Sequence, residues 1–247
     1  MKLDIYKIIN QNEKLKRIIG IIMAALLLIS MVLLAKEMSD VRTASDSVQN
    51  KSKKKIVVIE AGHGAADSGK VGINDALEKD INLQIAKKVQ QLLLSQDVKV
   101  YMTREDDIGF YPSSGSNKKV QDMKKRVEYI NDLQPDIAVS IHQNSYGEES
   151  IYGAQVFYYG TSGEGKTAAE IMQEQLITTL DKNNKREAKN NNSYYLLKKT
   201  NSPIIIVECG FLSNHKEAEL LITSNYQQKA AWAIHLGILR YLNMQDE

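Results

Sequence analysis

The chain reads as an α/β protein. It is expected to form a single three-layer domain, a mostly parallel mixed sheet flanked by helices, preceded by an N-terminal transmembrane helix. Three observations predict this. Short β-branched runs alternate with longer stretches of helical periodicity from Lys55 onward. Eighteen residues without a charge, Ile18 to Ala35, come before them, about the minimum for a helix that crosses a bilayer. Neither an internal repeat nor a Gly/Ser-rich linker divides the remainder, so residues 55–247 read as one domain.

Lys2, Lys7, Lys14, Lys16 and Arg17 precede the apolar segment, opposed by Asp4 and Glu13. The positive-inside bias makes residues 1–17 a cytoplasmic tail, 18–35 a signal anchor, and exports everything beyond. A cleaved signal peptide would carry a shorter apolar region and a small residue three before the cut. Leu33-Leu34-Ala35 lacks that residue, so an uncleaved anchor is expected, with secretion the outcome if cleavage occurs. The segment has no polar face, which argues against a buried core helix. Residues 36–54, running into "KSKKK", read as a polar stalk.

Within the domain, "IVVIE" is a short buried strand. "KDINLQIAKKVQQLLLSQ" is a helix with Leu83, Ala86, Val89 and Leu93 at helical spacing. "VKVYMT" is a second strand, and "GFYPSSGSNKK", residues 109–119, a polar loop at the cleft rim or a plain connection. "VQDMKKRVEYINDL" places Val120, Met123, Val127 and Ile130 on one stripe. "DIAVSIH" and "AQVFYY" are strands, followed by a helix from about Gly165 to Leu180 and the polar "DKNNKREAKNNN". "PIIIVECG" is the last strand and "YQQKAAWAIHLGILRYL" a closing amphipathic helix. In sheets of this kind ligands gather at the carboxyl ends of strands. His63, His142 and Glu208 fall at or just beyond three such ends.

Composition excludes little beyond the extremes. Apolar residues at 43% and charged ones at 25% are ordinary for a globular protein, and a net charge of +2 gives no reason to expect nucleic acid as a partner. Cys209 is the single cysteine, which rules out an internal disulfide and a Cys-rich zinc knuckle.

The turn in "IVVIEAGHGAADSG" admits three readings: a phosphate cradle, a metal site or a tight corner. A dinucleotide fingerprint needs a third glycine and a helix opening directly after it. Here Ala65-Ala66-Asp67 follow, and the helix waits until about Lys79. A plain corner accounts for the glycines and leaves His63 without a task. A metal site would use His63 and His142, with Glu78 completing the His₂Glu set of open hydrolytic zinc centres. Glu78 also fits a capping box with Asp75. Ligands 15 and 64 residues apart form no local motif, so spacing does not choose between these readings. Glu208 interrupts an apolar strand, where an ionised group needs a task or a partner. Either it pairs with Arg104 or Arg186, or it serves as the proton-shuttling carboxylate beside a metal.

Taken together, "IVVIEAGHG", "EKDINL", "TRE", "SIHQNS" and "PIIIVECGFLSN" resemble the zinc-dependent N-acetylmuramoyl-L-alanine amidases of bacterial cell walls, in that family's order, from about Ile56 to Leu242. The resemblance implies zinc held by His63, Glu78 and His142, with Glu208 as the catalytic carboxylate. The implied reaction is hydrolysis of the amide between the lactyl group of N-acetylmuramic acid and L-alanine of the stem peptide. An N-terminal anchor and a bare catalytic domain look most like the germination-specific spore-cortex amidases of endospore formers. That likeness implies cortex maturation toward muramic δ-lactam, in the space between the forespore membranes.

Expected partners are peptidoglycan glycan strands with their stem peptides, the membrane through the N-terminal helix, and an activating protein; nucleic acid is not among them. The resemblance also points to Arg186 as a residue that binds substrate or steadies Glu208, the alternative being a solvated loop arginine, and Asn144 is either a residue that binds substrate or orients His142 or a simple turn residue. Arg104 and Asp107 are expected to brace the fold as an ion pair, while His215 and His235 are expected to be structural. Alternation on a strand turns Cys209 away from Glu208. Glu60-Ala61 before the turn and Ala65-Ala66 after it depart from the family's usual pattern, which bears on metal affinity and substrate fit. The competing function is a membrane-tethered peptidoglycan-binding or scaffold protein with a degenerate amidase fold; degeneration would be expected to cost a ligand, and this chain keeps all four residues.

Overall fold

A computed structural model describes residues 21–23, 25–36, 54–110 and 117–245. The chain divides between Lys53 and Lys54 into two units. In the first, residues 21–23 and 25–36 are helical, and their large apolar side chains are exposed. Among the described residues no helix is long and apolar enough to cross a membrane. The expected tail 1–17, residues 18–20 and 24 of the expected anchor, and stalk residues 37–53 lie outside the described residues.

The second unit contains β1 (Lys55–Ala61), α1 (Glu78–Leu94), β2 (Val98–Met102), α2 (Lys118–Leu133), β3 (Ile137–Asn144), β4 (Gln155–Tyr158) and α3 (Gly163–Thr179). After these come β5 (Lys189–Asn190), α4 (Tyr195–Lys199), β6 (Ile204–Phe211), α5 (His215–Leu221) and α6 (Ser224–Met244). The six strands lie in the order β2-β1-β3-β6-β4-β5. β2, β1, β3 and β6 are mutually parallel, and β4 joins β6 antiparallel, carrying β5 with it. The reversal follows from chain length. Only residues 145–154 separate β3 from β4, and a parallel return needs about a dozen residues or more.

Strand alternation sorts the sheet into two faces. On one face Val57, Ile59, Ala61, Ile137, Val139, Ile141, Ile205, Val207 and Cys209 pack against α1, α3 and α6 in the larger core. Burial of each large aliphatic side chain there contributes roughly 1.5–3 kcal/mol. On the other face Val58, Ala138, Ile204 and Ile206 meet Val127 and Ile130 of α2 and Leu196 and Leu197 of α4. Farther along this second face, toward the carboxyl ends of the strands, the same alternation places Glu60, Ser140, His142 and Glu208. The apolar floor therefore gives way to a polar edge.

The three layers agree with the reading of the sequence; several details do not. β5 and α4 arise inside segments that carry no periodicity of their own, being only 2 and 5 residues long. On α2, Val120 is 53% exposed, whereas Asp122 and Arg126 occupy buried positions beside Val127 and Ile130. The apolar stripe reads helical phase correctly at its end and misses two buried charges. β3 and β6 run past His142 and Glu208, so these residues lie within strands, not beyond them. Arg104 and Asp107 brace the fold separately. Arg104 donates to the carbonyls of Ala61, Gly62, Lys79 and Asp106, and Asp107 pairs with Lys79 at 2.6 Å.

His235, on α6, is 4% exposed, and neither ring nitrogen has a hydrogen-bond partner. Burial holds its pKa below the usual value, so the unfolded chain takes up the proton more readily and stability falls as pH drops through about 6.5. His235→Leu is expected to raise stability by about 1 kcal/mol at pH 7, and the advantage should widen at pH 5. Thermal melts of the two proteins at both values measure it; equal midpoints throughout would refute the assignment.

Candidate active site

At the end of β1 the backbone stays paired to β3 for one more residue, Gly62 N–H donating to Ile141 O at 3.1 Å. It then turns sharply. His63 has φ +64°, and Gly64 and Asp67 exchange two backbone hydrogen bonds of 3.0 Å that close the turn. A left-handed conformation at a non-glycine residue is strained and persists only where its surroundings dictate it. The turn throws the His63 ring back over the sheet edge. Its Nδ1 lies 2.9 Å from Asp67 Oδ2 and its Nε2 3.2 Å from Glu78 Oε2.

Glu78, the first residue of α1, is buried. Leu77 is the N-cap and makes no side-chain cap bond, so the capping-box alternative does not form. Instead Glu78 Oε1 lies 2.8 Å from His142 Nδ1 and accepts from Gln143 N–H at 3.2 Å, while Oε2 accepts from Lys70 N–H at 2.8 Å. Asn82, one turn along α1, bridges Glu78 Oε1 and Gly62 O. His142 and Glu208 are register partners on adjacent strands and therefore project side by side from one face.

Among the described residues, His63, Glu78 and His142 are the group whose ligand atoms all lie within 4.8 Å of one another. The two imidazoles meet edge to face at 4.9 Å between centroids. Two glycines make room for them. A Cβ on Gly62 would sit 2.2 Å from His142 Cε1; one on Gly69, at φ +68°, would sit 2.5 Å from Glu78 Oε2 and 2.6 Å from His63 Cδ2. Beside the group, the Glu208 carboxylate is 7% exposed, and its Oε2 has no hydrogen-bond partner. The alternatives of a salt bridge to Arg104 or Arg186 are not realised, since both arginines are committed elsewhere. Two imidazoles, one carboxylate and an unpartnered acid beside an opening suit a divalent cation with a free position.

The electrostatics follow from this crowding. Burial disfavours charge on His142, but its hydrogen bond and ion pair with Glu78, helped by Glu60 and Glu208, outweigh that and push it up to about 9. The same contacts hold Glu78 far below the usual carboxylate range despite its burial. Burial first, and the neighbouring Glu78 charge, push Glu208 up to about 7 against the pull of both histidines. Cys209 faces the opposite core, and burial pushes its thiol up to about 12, out of the range of a nucleophile.

The group opens into a cleft of about 500 Å³. Its lining combines Glu60, His63, Glu78, His142 and Glu208 with Met123, Tyr194, Tyr195, Leu196 and Ile206, and includes the exposed Lys70 and Lys119. Of the 109–119 loop, residues 111–116 lie outside the described residues. Asn144 lines the cleft, its side chain accepting from Ser145 N–H. Arg186 is placed elsewhere. It donates to Tyr152 O at 2.7 Å and Gln155 Oε1 at 2.9 Å and stacks over the Phe211 ring, and it does not line the cleft.

Reading the sequence missed Asp67 behind His63, Asn82 and Gln143 around Glu78, and a buried ionic cluster of Glu60, Asp122, Arg126 and Ser140. The available signals were Glu60 and Ser140 breaking apolar strands at the parity of Glu208 and His142, and an Asp–Arg pair at i,i+4.

Fold and site together define a class: an α/β protein whose sheet edge can hold a divalent cation next to a free acid, as metallohydrolases do. Comparison with known proteins specifies it further. Residues 57–240 match the N-acetylmuramoyl-L-alanine amidase family, and the chain belongs to that family of enzymes. It is 40% identical over 196 residues to the germination-specific N-acetylmuramoyl-L-alanine amidase of Bacillus subtilis (strain 168), covering 78% of this chain and 82% of that protein. The structure of the CwlD amidase from Clostridioides difficile, in complex with the GerS lipoprotein, superimposes with a TM-score of 0.75 at 40% identity over 77% of this chain and all of that one. The catalytic domain of CwlV from Bacillus (Paenibacillus) polymyxa var. colistinus gives 0.68 at 33% identity, over 76% and 98%.

Gly69→Ala should weaken cation binding by about 5- to 150-fold, since overpacking here costs about 1–3 kcal/mol, while Gly163→Ala, which meets nothing within 4 Å, should leave it unchanged in a chelator competition. A cation must also displace the proton that His142 carries below pH about 9. Binding at pH 7 should therefore release about one proton, and apparent affinity should climb toward pH 9. Calorimetry in buffers of different ionisation enthalpy reads the release; buffer-independent heats would contradict it.

Proposed function

We propose that this chain is a zinc hydrolase that cuts the amide between the lactyl group of N-acetylmuramic acid and L-alanine of the peptidoglycan stem peptide. His63, Glu78 and His142 are the zinc ligands and Glu208 the catalytic carboxylate. The observation that carries the reading is the buried, unpartnered Glu208 carboxylate beside the His₂Glu group in an open cleft. Zinc held there would supply a Lewis acid for the scissile carbonyl and for a water. Glu208 takes the proton of the attacking water and returns it to the departing alanine nitrogen. A carboxyl pushed up to about 7 is matched to both halves of that task near neutral pH. The exposed Lys70 and Lys119 in the lining suit an anionic stem peptide, and the side chains of Met123, Tyr194, Tyr195 and Leu196 suit the sugar and lactyl faces. Asn144, within the cleft, is a substrate contact in this reading; Arg186 supports the cleft through Gln155, the register partner of Glu208.

The likeness to a germination-specific amidase supports a role in spore-cortex maturation, on the path to muramic δ-lactam. The uncharged apolar run 18–35 behind a basic tail supports a membrane anchor, with the catalytic domain on the extracytoplasmic side. A structural neighbour found in complex with a lipoprotein supports an activating protein partner for this chain too.

The test incubates the full-length protein with purified peptidoglycan, with zinc and with chelator, and identifies products by mass. Release of peptides bearing a free N-terminal alanine is expected, abolished by chelator and restored by zinc. Glu208→Gln should lower turnover by about 10²–10⁴-fold while keeping bound metal. Peptidoglycan binding without peptide release, by zinc-loaded protein with a cognate lipoprotein partner present, would instead establish the scaffold reading, and wild-type turnover in Glu208→Gln would remove its assigned role.

A further inference from the structure

We propose that Arg126 and Glu60 are positioning residues of the metal centre: a buried guanidinium–carboxylate clamp that holds the His63 turn in its strained conformation and backs the His142 ring. The inference rests on the reading of His63, Glu78 and His142 as ligands.

Arg126 is 1% exposed, and its donors are distributed with a purpose. Nε donates to Asp122 Oδ2 at 2.6 Å, one turn back on α2. Nη1 donates to Glu60 Oε1 at 2.5 Å and to Ala61 O at 2.9 Å; Nη2 donates to His63 O at 2.6 Å. The guanidinium thus grips the carbonyls on both sides of Gly62, fixing the peptide planes that aim the His63 ring. The other oxygen of Glu60 accepts from Ser140 Oγ and lies 3.8 Å from His142 Nε2. Ser140 stands two residues before His142 on the same face of β3. One cluster, drawn from β1, β3 and α2, therefore reaches the backbone of His63 and the ring of His142.

Packing alone does not account for it. Arg126 projects from a helix whose neighbouring buried positions are Val127 and Ile130, and apolar residues of similar size often replace a buried ion pair with no loss of stability. What apolar residues cannot do is bind two carbonyls at fixed angles, and a lysine, with its point charge, cannot span both carbonyls and both carboxylates. The left-handed φ of His63 supplies the need, since without an external grip a non-glycine residue leaves that region. Arg126 and Ser140 also fix the Glu60 carboxylate in place, one oxygen held by each, so that it stands behind the His142 ring.

The test uses the full chain in detergent, loaded with Co(II) as a spectroscopic substitute, and compares wild type with Arg126→Lys, Glu60→Gln and the apolar pair Glu60→Leu/Arg126→Met. Co(II) affinity from chelator competition should fall by about 10- to 100-fold in each, with a changed visible absorption envelope, while far-UV circular dichroism stays native. Folded variants that bind Co(II) with wild-type affinity and spectrum would overturn the clamp. Should the arginine variants fail to fold, Glu60→Gln, which keeps size and one hydrogen-bonding oxygen, decides the matter alone. His63→Ala separates the two readings. Loss of Co(II) binding there upholds the ligand assignment whatever the clamp variants do, and unchanged binding would defeat the assignment and the clamp together.

Discussion

Negative charge is concentrated at one edge of the sheet, and the rest of the site is organised around keeping it there. Glu78 and Glu208 are buried within reach of both imidazoles, Glu60 is buried within reach of His142, and Asp67 stands behind His63. Buried carboxylates repel one another and lose their hydration, so each must be compensated or give up its charge. Three are compensated: Glu60 by Arg126 and Ser140, Glu78 by both histidines and two backbone N–H groups, Asp67 by His63 and Lys119. Glu208 is not, and its pKa rises. The difference in environment between Glu78 and Glu208 separates a carboxylate suited to hold a cation from one suited to move a proton.

The edge exists because one face of the sheet changes character along its strands. Val58, Ala138 and Ile204 sit on the second core, and two residues later on each strand the same face carries Glu60, Ser140 and Ile206. Two residues further come Gly62, His142 and Glu208. Period-2 alternation converts a short stretch of each strand into a row of chemistry, and parallel register aligns the rows of separate strands. The larger core on the opposite face anchors those strands, so the polar row rests on rigid elements. Turn and helix then complete the set from outside the sheet: His63 from the loop after β1, Glu78 from the opening of α1.

Space matters as much as charge. Two imidazoles and a carboxylate can close to within 4.8 Å only because Gly62 and Gly69 leave out side chains where the rings lie. At Gly62 the requirement is close approach; at Gly69 a positive φ adds to it. The departures from the family pattern around the turn are absorbed in the same terms. Glu60 spans to Ser140 and Arg126 at once, and Ala65 adopts φ +50° while its N–H is held by Asp107 at 2.7 Å.

Much of this was legible in the residues. Alternating β-branched runs and helical stripes set the layers, and the exceptions within them, a histidine between glycines, a histidine and a glutamate ending apolar strands, marked the chemistry. Those signals are local, because each breaks a pattern its neighbours establish. Only the tertiary structure decided what was non-local: that Glu78 turns inward instead of capping its helix, that Glu208 stays unpartnered, that Arg186 is held by Tyr152 and Gln155 away from the cleft, and that Arg126 reaches across from a helix stripe that reads as apolar. A hydrogen bond between residues 63 apart, such as Arg126 to the carbonyl of His63, leaves no periodic trace in the chain. The same holds for register, which places His142 opposite Glu208: composition and periodicity determine which face a residue takes, and strand pairing determines which residue it meets there.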